Sequence, residues 1–230
     1  MRKVSCLALL VAASLGMAAS ANASWMTYTS SFTAYPNYSN TFTFNKFDSA
    51  LGHLDSVTVE LSLDVTGGSY QVENLSTSPA SGTMTFGTTG SLAGPAYFAD
   101  NSDNLLTSPV SAVTNKNVSL AATDGTQDFS GGDSNSLAGA TQWLTNTAIV
   151  GTSYTYRFAS ATNETFKITA KADYYMNFSV AGGIAGAYLP QTARSAVTVT
   201  YNYSQIPEPV AFGLVGIGGL VLMRRHRQKA

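Results

Sequence analysis

The chain has 230 residues, of which 44% are hydrophobic and 11% aromatic but only 11% charged, less than half of the roughly 25% usual for a globular domain. Twelve Tyr, eleven Phe and abundant Val and Thr exclude a chain kept disordered by its charge. The net charge of −1 hides a segregation: six of the twelve Lys and Arg lie at the two ends, and residues 24–204 carry 6 basic against 12 acidic side chains, a net of −6, which excludes a nucleic-acid partner.

At the start, Met1-Arg2-Lys3, an apolar run over residues 4–17 and a small-residue exit form the three parts of a secretory signal peptide. Ala21 and Ala23 are the small residues of the cleavage site, with the cut expected after Ala23, so residues 1–23 read as a signal helix. Cys6 sits near the start of the apolar run, the wrong place for a lipoprotein anchor. It is the only cysteine, so the mature chain has no disulfide, no catalytic thiol and no cysteine-based zinc site.

Residues 24–204 read as one all-β domain. Its first strands fall at 26–33 and 41–47. The clearest follows, with Val57, Val59, Leu61, Leu63 and Val65 on one face and Thr58, Glu60, Ser62 and Asp64 on the other. Gly67-Gly68 and the alternation of Tyr70, Val72 and Asn74 predict a hairpin. Further strands are expected at 83–86, 110–120, 154–159, 165–180 and 196–203, separated by Ser, Gly, Asn, Asp and Pro clusters. Helix is confined to a short piece around 136–145. Nine or ten strands with one apolar face predict an antiparallel β-sandwich of jelly-roll-like form. The loop 93–109 is long for such a domain and is expected to be a binding loop or a mobile excursion.

Candidate chemistry is sparse. His53 is the only imidazole of the domain, no Gly-x-Ser-x-Gly elbow accompanies it, and it reads as a turn or edge residue. Glu60 and Glu73 are expected to face solvent and Glu164 opens a strand, so no acid and base are selected and the protein is expected not to be an enzyme. Asp124-Gly125-Thr126-Gln127-Asp128-Phe129-Ser130-Gly131-Gly132-Asp133 and Asp100-Asn101-Ser102-Asp103-Asn104 hold the oxygen ligands that Ca²⁺ takes, without EF-hand spacing. Asp and Asn are also the usual turn formers, so these segments are expected to be structural turns, with no metal or cofactor assigned. Tyr97, Phe98 and Trp143 have rings that would stack on sugars, although Trp143 is expected in the core.

The chain ends with Pro207-Glu208-Pro209, fourteen apolar or glycine residues (210–223), and a basic tail containing Arg224, Arg225 and Arg227. The prolines break any strand or helix running out of the domain. The apolar run is about 21 Å long as a helix, short against a hydrocarbon layer of about 30 Å, but the arginines after it fit a cytoplasmic stop. Residues 205–230 together resemble the PEP-CTERM sorting signal of exopolysaccharide-producing Gram-negative bacteria. That resemblance implies a transmembrane helix, transient anchoring in the inner membrane, processing by an exosortase and delivery to the cell surface or extracellular matrix.

A second resemblance covers residues 42–203. Residues 42–59, Asp128-Phe129-Ser130-Gly131-Gly132 and Val197-Thr198-Val199-Thr200-Tyr201-Asn202-Tyr203 look like the choice-of-anchor E domain of exported bacterial proteins, a family that brings no activity with it. The expected function is that of a non-enzymatic surface or matrix protein associated with exopolysaccharide or biofilm. The alternative is a secreted carbohydrate-binding or carbohydrate-active sandwich, in a Ca²⁺-dependent form if the oxygen-rich loops hold the ion.

Overall fold

The computed structural model describes residues 23–179 and 183–206. The signal segment as far as residue 22, the Pro207-Glu208-Pro209 tripeptide, the apolar run and the terminal arginines lie outside the described residues. Within them the strands are, in chain order, β1 (Ala23–Ala34), β2 (Tyr38–Asn45), β3 (Phe47–Asp48), β4 (Gly52–Thr66), β5 (Ser69–Asn74), β6 (Ala80–Ala93), β7 (Val110–Leu120), β8 (Ser134–Ala138), β9 (Gln142–Ile149), β10 (Ala159–Ser160), β11 (Thr165–Phe178), β12 (Ile184–Leu189) and β13 (Thr192–Gln205). A 3-10 helix spans Thr152–Phe158.

The protein is all-β and almost wholly antiparallel. Two four-stranded sheets have the orders β1-β13-β4-β9 and β2-β11-β6-β7, a three-stranded sheet has the order β12-β5-β8, and β3 and β10 form a short parallel pair. The period-2 pattern of β4 decides the layering. Val57, Val59, Leu61, Leu63 and Val65 are fully buried, while Thr58, Glu60, Ser62 and Asp64 stay partly exposed on the opposite face. Opposite them, β13 turns in Val197, Val199 and Tyr201, and the second sheet contributes Phe42 and Phe44 from β2 and Ile168 and Ala170 from β11. All belong to one apolar cluster, so the two sheets pack face to face in a sandwich-like core. Each of the Val, Leu, Ile and Phe side chains among them contributes about 1.5–3 kcal/mol through removal from water. A second cluster, with Tyr70, Val72, Met84, Phe86 and Leu120, fills the space where the three-stranded sheet covers β6 and β7.

Three local expectations are corrected. The segment after Gly67-Gly68 is not the second arm of a hairpin: β4 pairs with β13 and β9, whereas β5 pairs with β12 and β8. Both glycines have left-handed φ, 69° and 75°, and form a corner that carries the chain from one sheet to another. A Cβ on Gly68 would lie 2.6 Å from the Gln191 side chain, so this corner also needs glycine for close approach. Gln191 itself is buried, accepts a hydrogen bond from the Thr88 hydroxyl and donates one to the Ala140 carbonyl, which fixes the corner against the entry to β9.

The expected helix around 136–145 is replaced by β8 and β9, because pairing with β5 and β4 satisfies their backbone groups. Conversely, the expected strand at 154–159 is mostly 3-10 helix. The apolar side chains it turns to the core are partly buried Tyr154 and fully buried Phe158, an even spacing that reads as one face of a strand in the sequence. The long loop 93–109 is a packed excursion. Phe98 is fully buried in the main core, and backbone bonds from Leu106 to Phe98 and from Leu92 to Thr107 tie its two sides together.

Replacing Leu61 by Ala should lower the unfolding free energy of the full chain by about 2–5 kcal/mol in urea titration, whereas Thr58→Ala on the outer face of the same strand should change it by less than about 0.5 kcal/mol.

Candidate functional site

Antiparallel register places directly opposed residues on the same face, so the outer surface of the β1-β13-β4-β9 sheet can be read row by row. One row contains Thr29, Thr198, Glu60 and Thr147; the next, Ser31, Ala196, Ser62 and Thr145; the next, Thr33, Arg194, Asp64 and Trp143. The middle row is the shortest in side-chain length. Its two central members, Ala196 and Ser62, form the floor of a shallow trough with a volume of about 240 Å³, walled on one side by Thr29, Thr198 and Glu60 and on the other by Arg194, Asp64 and Trp143.

Hydrogen bonds preorganise this floor. Arg194 lies opposite Asp64 but its guanidinium reaches the other way, donating to Ser31 Oγ at 3.2 Å, and Ser62 Oγ donates to Glu60 Oε1 at 3.2 Å. The Thr29 and Thr198 hydroxyls share a bond of 3.0 Å. Asp64 and the Trp143 indole N–H have no protein hydrogen-bond partner among the described residues, so both are open to a ligand. Trp143 is 73% exposed, which corrects the expectation that it fills the core. It sits outward on β9, an edge strand of this sheet, while its neighbour Leu144 points inward. Arg194 was not singled out from the sequence, because an isolated basic residue in a Thr- and Ser-rich strand carries no signal without its cross-strand neighbours.

The other sequence-derived candidates do not converge. His53 lies exposed in β4 opposite Ser204, whose hydroxyl donates to Asp55 at 2.6 Å, so no serine and histidine form a nucleophile and base pair there. Glu164 is in an ion pair with Lys46. Phe98 is buried and Tyr97 is partly buried with its ring edge-on to Phe158, so neither offers an open stacking face as expected. Glu73 is also corrected: it is fully buried, and its two carboxylate oxygens accept the backbone N–H groups of Asp128 at 3.2 Å and Phe129 at 2.6 Å. The three-stranded sheet carries this carboxylate beneath the 124–133 loop, where it holds the Asp128–Phe129 backbone in place.

The oxygen-rich loops use their carboxylates internally. Asp124 accepts from the Thr126 hydroxyl and N–H, Asp128 from the Ser130 N–H and hydroxyl, buried Asp133 from the Asp124 N–H, and Asp100 from the Ser102 and Asn104 N–H groups. Among the described residues no three His, Cys, Asp or Glu side chains are grouped as a metal site. The Thr126 side chain, followed by its backbone N–H, holds the Asp124 carboxyl below the usual aspartate range. The Asn104 and Ser102 N–H groups do the same for Asp100.

No family model and no curated protein matches the chain. Among solved structures it is similar to dimeric latent PorU from Porphyromonas gingivalis, at 10% identity and a TM-score of 0.26 over 79% of this chain and 13% of that one. It is also similar to infectious bursal disease virus, Gx strain, at 12% identity and a TM-score of 0.23 over 91% of this chain and 51% of that one. The VP2 subviral particle of the same virus gives 11% identity and a TM-score of 0.20. The chain thus spans about an eighth of the first and about half of the viral chains, and similarities of this size assign no function.

Two outcomes follow from the loop geometry. Glu73→Ala removes the charged acceptor of the Asp128 and Phe129 N–H groups and should cost the full chain about 1–3 kcal/mol of unfolding free energy in denaturant titration. Because the Asp100 and Asp124 carboxyls are held below their unfolded value of about 3.9, their support is complete above that pH and is lost as pH falls through the lowered values. Hydrogen exchange, corrected for intrinsic rates, should show the Asn104 and Thr126 amides losing protection on acidification before the amides of β13 do.

Proposed function

We propose that this is an exported, non-enzymatic protein of the cell surface or extracellular matrix, sorted by an exosortase through Pro207-Glu208-Pro209 and associated with exopolysaccharide. The observation that carries this reading is the pairing of Ala23 with Ser204. The expected signal-peptide cut and the expected sorting signal adjoin the same end of the same sheet, so both membrane-directed segments would leave the domain side by side. Cleavage after Ala23 would cost β1 only its first residue. At the other terminus β13 ends at Gln205, and exposed Ile206 separates it from the tripeptide.

In this reading the prolines act as an address and a stop. They supply no N–H for a further ladder bond and they bias the preceding residues to extended backbone, which a membrane protease can bind. The domain's fold is assigned as a jelly roll. Four strand pairs nest inside one another along the chain, β1 with β13, β2 with β11, β4 with β9 and β6 with β7. The further pairs β13·β4 and β11·β6 roll this long double strand into two sheets.

Substituting Pro207, Glu208 and Pro209 together by Ala should shift the unfolding free energy of the domain by less than about 0.5 kcal/mol. In a strain with an active exosortase, the same variant should remain uncleaved in the membrane fraction. Appearance of the variant in the medium or matrix in the same processed form as wild type would overturn the sorting assignment.

A further inference from the structure

We infer that the trough on the outer face of the β1-β13-β4-β9 sheet is a binding site for a neutral polysaccharide strand, with Trp143 as its stacking platform. The protein has two tryptophans, and both are 73% exposed. Register puts both on this one outer face, Trp25 opposite Asn202 at one corner and Trp143 opposite Asp64 at the other. An aromatic side chain of this size buries about 150–250 Å² when covered, and leaving it open forgoes that stabilisation unless a partner covers it. The indole presents a flat apolar face and one N–H donor, matching the C–H face and hydroxyl rim of a pyranose.

The rest of the trough supplies what sugar hydroxyls require. Asp64 and Glu60 accept, Arg194 donates, and Thr198 does both. Hydrogen bonds to the ionised groups are the stronger class. Sheet strands lie about 4.7–4.9 Å apart, and the lining runs from Thr29 on β1 across β13 and β4 to Trp143 on β9, so the trough spans about 14 Å, the length of a short run of sugar units laid across the strands. Its long axis and polarity suit an extended chain better than an apolar small molecule.

Charge selects among polysaccharides. The walls hold two carboxylates against one guanidinium, and residues 24–204 carry a net of −6, so a polyuronate or a phosphate-bearing glycan meets repulsion whereas a neutral one does not. Position also favours a matrix ligand. Arg194 lies eleven residues along β13 from Gln205, about 35 Å at strand rise, so the trough sits toward the end of the sheet away from the proposed membrane attachment.

The inference deepens the matrix-protein reading, but its test needs no sorting step. Full-length protein in a detergent without sugar headgroups is titrated with a soluble neutral glucan, a galactomannan and a polyuronate, following tryptophan fluorescence and binding heat. The expected result is binding of at least one neutral polysaccharide and none of the polyuronate. Trp143→Ala should weaken that binding about tenfold or more, Asp64→Asn and Arg194→Gln should each weaken it several-fold, and Trp25→Ala should leave it unchanged. Asp64→Asn preserves side-chain size and Arg194→Gln shortens an exposed side chain while keeping a donor, so they keep the test informative if Trp143→Ala fails to fold.

Failure to bind either neutral polysaccharide, tighter binding of the polyuronate, equal losses in the two tryptophan variants, or undiminished binding in all trough variants would each overturn the inference. Release of reducing ends from the bound polysaccharide would overturn it too, since the site would then be hydrolytic. Intact binding with failed processing would remove only the sorting proposal, and intact processing without binding would remove only the trough.

Discussion

The C-terminal strand is hydrogen-bonded on both sides, to β1 from the other end of the domain and to β4 from its first third, and the rest of the structure depends on that double pairing. Without β13 the first sheet separates into the lone strand β1 and the pair β4·β9, and Val197, Val199 and Tyr201 leave the core. Tyr201 shows how tightly this strand ties the two layers. It is fully buried, its ring contacts Tyr28 and Phe47, and its hydroxyl donates to the Asn45 carbonyl at the end of β2. Burial raises its phenol above the ordinary tyrosine range, which keeps that hydroxyl a donor. Pairing between strands so far apart in sequence must await the end of the chain, and such non-local pairing makes folding slow.

The same pairing organises the surface. Once β13 lies between β1 and β4, every second residue of three strands faces outward in register, and a row of short side chains becomes a trough only because longer ones stand on either side of it. β9 completes the wall through Trp143, and its position rests on the buried Gln191 amide and on close approach at Gly139, where a Cβ would lie 2.4 Å from the Gly67 carbonyl oxygen. The polar contacts that shape the trough are therefore built on a backbone held from beneath. This is the arrangement a binding surface needs if it is to lose little freedom on taking up a ligand.

The oxygen-rich loops illustrate the opposite use of polar residues. Their Asp and Asn side chains close turns over their own backbone, as seen at Asp100, Asp124 and Asp128, and the one carboxylate brought from elsewhere, Glu73, is used the same way. Composition alone does not separate a cation ligand from a turn former. The difference lies in whether the oxygens converge on a common point or return to nearby N–H groups, which only coordinates reveal.

What the sequence determined by itself was whatever depends on local period. The strict alternation from Val57 to Val65 sets one buried and one open face for β4, and the low charge with many β-branched and aromatic residues sets an all-β chain. The proposed terminal signals are likewise readings of sequence, since a short linear segment can be recognised without a fold. The tertiary structure decided everything that depends on which strand lies beside which. It made Gly67-Gly68 a corner between sheets, turned 136–145 into two strands, buried Glu73 and exposed Trp143. A residue on an edge strand has two faces to choose from, and its own neighbours in sequence give little guidance. The choice is made by the strand it pairs with, and for Trp143 on β9 that is β4, whose Asp64 lies opposite it from far away in the chain.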